Sequence, residues 1–345
     1  MQTVFWSDYQ QGAHSAVLQR LLEGNLEPAP GYGGDHVSER ARERIRSACG
    51  CPKAAVHFLV GGTQTNAVVT RALLAPYQGV VSADSGHISV HEAGAIEYGG
   101  HKVLTVPGRD GKVAAPDLER LCGTYWQDEN REHMVMPGMV YLSQPTEFGT
   151  LYSRGELEAL RQVCDRYRLR LYVDGARLAY ALACPENDVS LADLARLCDV
   201  FYIGGTKCGA LLGEAVVIPD PELLPHFFTI VKQHGALLAK GRVIGAQFDA
   251  LFEGELYLHI GETAVAGADR IRACLRQAGY EQPIQAPTNQ IFVRLSNAQA
   301  QRLEKRVGFG FWERTDQDHL VVRFVTSWAT TPEDVEALCA ALREL

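Results

Sequence analysis

The 345-residue sequence lacks an excess of positive charge. Its 33 Lys and Arg are outnumbered by 41 Asp and Glu, for a formal charge of −8. No basic field is there to hold a nucleic-acid backbone, so nucleic acid is excluded as a partner. Long hydrophobic runs are missing too, and none nears the roughly 20 apolar residues of a membrane-spanning helix. The start, MQTVFWSDYQQ, has neither the basic stretch nor the apolar core of a secretory signal, and a cytoplasmic location is expected. Cysteine pairs are a third absence. Nine cysteines, an odd number, are scattered from Cys49 to Cys339 without a C-x-x-C spacing, and no second pair answers Cys49 and Cys51. This argues against zinc-finger and thioredoxin-like chemistry and predicts buried thiols in a reducing compartment. There is no low-complexity stretch and no repeat of solenoid length. With 46% hydrophobic and 21% charged residues, disorder is excluded, and the length allows one large domain plus a smaller one.

What the chain does have is alternation. Apolar runs at 54–60, 79–83, 101–106, 139–144, 170–174, 199–205 and 214–218 read as strands. Amphipathic segments separate them, among them TQTNAVVTRALL and RGELEALRQVCDRY, the second opened by Ser153 as N-cap. Strands punctuated by crossover helices predict βαβ units and a mostly parallel sheet wrapped on both faces. Farther on the pattern changes. A long helix, GETAVAGADRIRACLRQAG, is closed by Gly279 and leads into strands at 290–295, 308–313 and 319–325 with helices at 297–307 and 332–344. The expectation is an α/β fold in three parts. These are an N-terminal arm over 1–35 that docks on another element or subunit, a large domain over 36–252, and a small C-terminal α/β domain over 253–345.

Two strand ends concentrate the chemistry. Asp174-Gly175-Ala176-Arg177 follows one strand and Gly204-Gly205-Thr206-Lys207 a later one, with Lys207 33 positions after Asp174, room for one crossover helix. Ligands of an open parallel sheet bind outside the carboxyl ends of its strands, so both clusters face one crevice. An Asp leaving a buried strand needs a cationic partner, and a Lys there can be desolvated into a neutral amine nucleophile. An acid that keeps a pyridine nitrogen protonated, plus a lysine that bonds the cofactor's aldehyde, is what pyridoxal 5′-phosphate requires. An Asp–Lys ion pair at the sheet rim is the plainer alternative. Gly61-Gly62-Thr63 ends a strand and opens a helix whose free N–H groups suit a phosphate, and the Thr206 hydroxyl adds a donor. His87, His91 and Glu92 run H-x-x-x-H-E, the wrong order for a zinc-protease helix, so no metal is expected. A histidine lying on the pyridine face, near the substrate's β-substituent, serves the cofactor better; a structural core histidine is the alternative for each. Arg323 sits mid-strand among apolar neighbours. It suits a bidentate clamp on an α-carboxylate, or else a pairing with a structural acid.

Together these motifs make the chain resemble, over nearly its whole length, the low-specificity threonine aldolases of the aromatic-amino-acid β-eliminating lyase group. Those are pyridoxal-phosphate enzymes of the aspartate-aminotransferase fold (fold type I). Gly31-Tyr32-Gly33-Gly34-Asp35 matches the family's G-Y-G-x-D segment, and the resemblance assigns Tyr32 and Asp35 to substrate binding. It assigns Gly61, Gly62 and Thr63 to the phosphate, His87 (seven residues before Gly94) to the cofactor ring, Asp174 to the pyridine nitrogen and Lys207 to the covalent link. Arg177 and Arg323 would hold the substrate carboxylate with help from Ser7, and either Lys240 or Arg242 would reach the phosphate of a neighbouring subunit.

One departure stands out. Many members carry E-N-T-H, whose histidine approaches the substrate hydroxyl; here the strand end reads Ser143-Gln144-Pro145-Thr146-Glu147-Phe148-Gly149. Glu147, His87, His91 or a held water is then left to take the β-hydroxyl proton. The implied reaction is retro-aldol cleavage of threonine, allo-threonine and related β-hydroxy-α-amino acids to glycine and an aldehyde. The implied assembly is a homodimer or homotetramer with shared active sites. Competing readings are a β-eliminating lyase that releases a keto acid and a pyridoxal-phosphate-binding protein without activity. A dinucleotide oxidoreductase ranks last, because GGTQTNA lacks a G-x-G-x-x-G turn.

Overall fold

The structure, a computed structural model, describes residues 3–345. In chain order its strands are β1 (Thr3–Phe5), β2 (Ala55–Leu59), β3 (Gln78–Ala83), β4 (Val103–Val106), β5 (Met136–Ser143) and β6 (Arg170–Asp174). They continue with β7 (Val200–Gly204), β8 (Glu214–Ile218), β9 (Gln290–Ser296), β10 (Val307–Arg314) and β11 (His319–Val325). Strands β2 to β8 form a seven-stranded sheet in the order β2-β8-β7-β6-β5-β3-β4. Within it β4, β3, β5, β6 and β7 run parallel, and β8 runs antiparallel to both of its neighbours.

Because both faces of this sheet are covered, its inner strands are buried along nearly their whole length instead of alternating. Successive side chains still point to opposite faces and feed two cores. Val81, Val140, Phe201 and Val217 enter one core, and Val80, Met139, Tyr202 and Val216 enter the other. The helix Arg154–Tyr167 shows how crossovers are framed: Ser153 accepts from the Glu156 N–H while the Glu156 side chain accepts from the Ser153 N–H, a reciprocal cap. Among the described residues all nine cysteines are free. Burial first of all pushes the Cys49, Cys164 and Cys208 thiols up to about 12, so they pack as small apolar groups.

The second sheet has the order β1-β10-β11-β9 and packs a third core against the helices Glu262–Gln277 and Pro332–Arg343. The N-terminal arm takes part in it, since β1 pairs in parallel with β10, Thr3 opposite Val307. The arm then sends the helix Ser15–Leu22 against Arg242–Leu251, where the buried Asp249 collects Arg20, Arg40 and Arg44. Ser143 and Asp174 are register partners at the carboxyl ends of β5 and β6. Since β8 is reversed, its first residue, Glu214, lies opposite Gly204 and Leu59 at the same rim. Glycine is required where these ends converge: a Cβ at Gly175 would run into the Tyr202 carbonyl, and one at Gly204 into that of Ala176. Among the described residues no helix is long and apolar enough to cross a membrane, and no cluster of His, Cys, Asp or Glu is suited to a metal ion.

Candidate active site

A cavity of about 250 Å³ opens at this rim, with Gly61, Gly62, Thr63, His87, Asp174 and Lys207 among its walls. Asp174, 4% exposed, sits on its floor. One carboxylate oxygen accepts from the Tyr202 hydroxyl at 2.5 Å and the Ala176 N–H at 2.9 Å. The other accepts from the Tyr141 hydroxyl at 2.7 Å and the Asn66 amide at 3.0 Å. Burial and the Asp174 charge push both tyrosines well above their ordinary range, which keeps them protonated donors. A buried carboxylate whose oxygens meet only donors is held as an acceptor facing whatever enters the cavity.

Above it lies a cluster of cations. Arg177 donates Nε and Nη2 to Asp8 at 2.7 and 3.1 Å, a bidentate pair with a fully buried carboxylate from the N-terminal arm. Burial raises the Asp8 carboxyl, but Arg177 and Lys207 outweigh it and hold Asp8 below its ordinary value. Lys207 follows β7 on the Gly205–Thr206 turn. Burial and Arg177 push its amine below the ordinary lysine value, against the pull of Asp8, Asp174 and Glu214. Glu214 accepts from the Gly205 N–H at 3.0 Å and the Thr206 hydroxyl at 2.9 Å, and burial above all raises its carboxyl to about 8. Arg323 is not part of the cavity wall. It lies behind, over the Trp312 ring, with Nη1 on the Gln290 side chain at 3.0 Å and Nε buried without a partner. Burial and Arg177 bring its guanidinium down to about 10.

His87 is gripped at two points. Its backbone N–H donates to Glu147 Oε1 at 2.8 Å, and its Nδ1 lies 2.7 Å from Glu92 Oε1. Glu147, 8% exposed, also accepts from the Ser143 hydroxyl at 2.7 Å, and burial raises its carboxyl. His91 is exposed and its ring centre is 5.7 Å from that of His87, but it does not line the cavity. Gly61 caps the helix Gly62–Leu73 without a side-chain hydrogen bond, so the first N–H groups stay free for an anion.

The remaining assignments fall elsewhere. Ser7 is buried beside Asp8 in the arm and is not on the cavity wall. Asp35 caps the helix His36–Ala48, accepting from the Ser38 N–H and hydroxyl, both at 2.8 Å. That use of its carboxylate counts against direct contact with substrate in its own subunit. Tyr32 carries Lys232 over its ring at 4.7 Å, and Lys240 and Arg242 border a different cleft, where Arg242 donates to the Glu27 carbonyl. A wider surface cleft of about 700 Å³ beside Tyr280, Arg294 and His319 holds none of the predicted residues. Four side chains escape a reading of the sequence. Asn66, Tyr141 and Tyr202 look like ordinary interior positions, and Asp8 meets Arg177 across 169 residues. Only Glu214 left a signal, as a charged residue opening an apolar strand.

The sequence profile of the family described as beta-eliminating lyase matches residues 5–305. A low specificity L-threonine aldolase of Pseudomonas aeruginosa is 28% identical over 344 residues, which covers 98% of this chain and 96% of that protein. A threonine aldolase of Leishmania major is 38% identical and superposes with a TM-score of 0.96 over 99% of this chain and 98% of its own. An aspartate aminotransferase of Thermus thermophilus, 14% identical, superposes with a TM-score of 0.73 over 99% of this chain and 91% of its own, a likeness of fold alone.

Proposed function

Because the chain belongs to the beta-eliminating lyase family, we propose that it is a carbon–carbon lyase. It cleaves L-threonine, L-allo-threonine and related β-hydroxy-α-amino acids to glycine and an aldehyde. The cofactor is pyridoxal 5′-phosphate, and the cavity fits it. The uncapped N–H groups after Gly61 suit its phosphate, the Asp174 carboxylate suits a protonated ring nitrogen, and Lys207 offers the amine. When bound, the cofactor supplies a sink for the electron pair left by the broken Cα–Cβ bond.

The chain's own residues do the rest. Asp174 stands on the floor of the site, its oxygens fixed by four donors, where it would accept from a protonated ring nitrogen. Burial and then Arg177 lower the Lys207 amine, the direction that favours its neutral, nucleophilic form. Arg323 would take the substrate carboxylate through its unpartnered Nε only by a swing of its side chain into the cavity, whose wall it does not line. Arg177 adds Nη1, since Asp8 occupies only its Nε and Nη2. A carboxylate held by two guanidinium groups fixes which bond of the α-carbon is aligned for cleavage. Of the groups open as base for the β-hydroxyl proton, His87 is favoured. It lines the cavity, whereas His91 does not; Glu147 lines it too, but its Oε1 already accepts two hydrogen bonds, from the His87 N–H and the Ser143 hydroxyl. The reading rests on the meeting of Asp174, Lys207, His87 and Arg177 at one cavity.

A second copy of the chain completes this reading. Tyr32, Asp35, Lys240 and Arg242 lie off their own cavity wall, so roles for them at an active site require a neighbouring subunit. Nine free cysteines suit a reducing, cytoplasmic setting. The test is product analysis of the cofactor-loaded protein with L-threonine and L-allo-threonine. Equimolar glycine and acetaldehyde is expected; a keto acid in their place would overturn the aldolase in favour of β-elimination.

A further inference from the structure

We infer that Glu92 is a positioning residue that fixes the proton of His87 on Nδ1 and leaves Nε2 as the acceptor for the substrate's β-hydroxyl proton. This deepens the proposed function and rests on it for the identity of that hydroxyl.

The Glu92 side chain is fully buried, 0% exposed. Its Oε1 has two partners, His87 Nδ1 at 2.7 Å and the Asn66 amide at 2.7 Å. Its Oε2 is buried with none. A proton on Oε2 would be a buried hydroxyl with nothing to donate to, and one on Oε1 would leave the Asn66 N–H with the weaker acceptor of a carboxylic O–H in place of a carboxylate oxygen. The proton between Glu92 and His87 therefore belongs to Nδ1.

The orientation of Asn66 is fixed in turn. Its Oδ1 accepts from the Tyr172 hydroxyl at 2.8 Å, and its Nδ2 serves Glu92 and, at 3.0 Å, Asp174. Flipping the amide would aim its oxygen at two carboxylates and its nitrogen at a hydroxyl that now donates to it. One carboxamide thus bridges the acid behind the histidine and the acid on the cavity floor. It keeps them apart and keeps both as acceptors.

The chemical consequence falls on Nε2, which has no hydrogen bond among the described residues, on a ring that lines the cavity. When Nε2 takes a proton the ring becomes a cation, and Glu92 lies against it at Nδ1. A base backed in this way by a buried carboxylate is oriented and strengthened together. The charged and titratable groups around the ring are Glu92 and His91 on its own segment, Glu147 from the loop after β5, Asp174 reached through Asn66, and Arg177, Lys207 and Glu214 on the wall of the same cavity.

The test separates charge from contact. Glu92→Gln keeps an oxygen for both partners and removes the charge; Glu92→Leu removes the acceptor. The full chain, labelled with ¹⁵N at histidine, is titrated without cofactor, the His87 signals being assigned by their loss in His87→Asn. The neutral wild-type ring is expected to carry its proton on Nδ1. In Glu92→Gln the same tautomer should persist while the ring pKa falls by about 1–3 units, and in Glu92→Leu the tautomer preference should be lost. With cofactor loaded, kcat for threonine cleavage should fall about 10–100-fold in Glu92→Gln, with KM within about twofold and the acid limb of the pH profile following the ring. A wild-type ring protonated on Nε2, or a His87 titration unmoved in Glu92→Gln, would overturn the inference. If wild type shows the Nδ1 tautomer yet cleaves no threonine, the aldolase reading falls while the hold of Glu92 on the ring is supported.

Discussion

Replacing Asp8 by Asn is the sharpest probe of how the arm and the active site depend on one another. Asp8 accepts from Arg177 Nε and Nη2 at 2.7 and 3.1 Å and from the Asn289 amide at 2.9 Å, and it is 1% exposed. Asparagine is isosteric but turns an N–H₂ toward a guanidinium that also donates. The variant leaves Arg177 buried and uncompensated next to Lys207 and Arg323. Breaking a buried pair from one side costs about 3–5 kcal/mol. For 345 residues at about 2.1 cal/mol/K of unfolding entropy per residue, Tm should fall by about 4–7 °C at neutral pH.

The pH dependence has a definite sign. The Asp8 carboxyl is held below its ordinary value despite burial, by Arg177 and then Lys207. Its contribution is therefore fully present above the unfolded value of about 3.9 and is lost as pH falls through the lower folded one. The Tm gap between wild type and Asp8→Asn should be flat from pH 7 to about 5 and close on further acidification. Scanning calorimetry of the cofactor-free proteins reads this directly. A gap under about 1 °C at pH 7, or one that persists unchanged to about pH 3, would refute the assignment of Asp8 as the counter-ion that holds Arg177.

Three further outcomes follow from the geometry. Glu214→Gln should become progressively more stable than wild type between about pH 4.5 and 8. Burial lifts the Glu214 carboxyl to about 8, so the folded state keeps a proton that the unfolded chain releases, at about 1.4 kcal/mol per pH unit; melting curves across that range check it. Arg323→Lys should raise KM for threonine about 10–100-fold, the worth of a charge-assisted contact, because one ammonium cannot both keep the Gln290 contact made by Nη1 and replace the free Nε donor, with cofactor binding unchanged by spectrophotometric titration. Asn66→Leu should lower affinity for the cofactor, because Asp174 and Glu92 both lose the donor that separates them; equilibrium dialysis of the cofactor measures it.

The parts legible in the sequence are those set by local position. A residue just past an apolar strand lies at the rim of a parallel sheet whatever the rest of the chain does, so Asp174, Lys207 and the Gly61–Gly62 turn are readable as neighbours of one crevice. Alternating strands and amphipathic helices carry the α/β class in the same way. What is not legible depends on pairings between distant segments. Nothing in TVF predicts that β1 adds to a strand 304 residues later, and Asp8 acquires its partner only through that docking. Glu214 reaches the site because β8 alone runs backwards, which brings its first residue instead of its last to the rim. His87 could be singled out by its spacing, but the hydrogen bonds of Glu92 and Asn66 that fix its ring need coordinates. The absent E-N-T-H histidine leaves a question in the sequence, and the network around His87 supplies a candidate answer.

The most direct measurement of the central claim is to reduce the cofactor-loaded protein with borohydride, digest it and map the pyridoxyl-bearing peptide by mass spectrometry. Hydride reduction makes permanent the bond between the cofactor and the lysine that holds it. The account predicts the label on Lys207, its absence from Lys207→Ala, and loss of cofactor-dependent threonine cleavage in the same variant. A label on Lys240 or any other lysine, or a Lys207→Ala protein that still forms glycine and acetaldehyde at the wild-type rate, would contradict it.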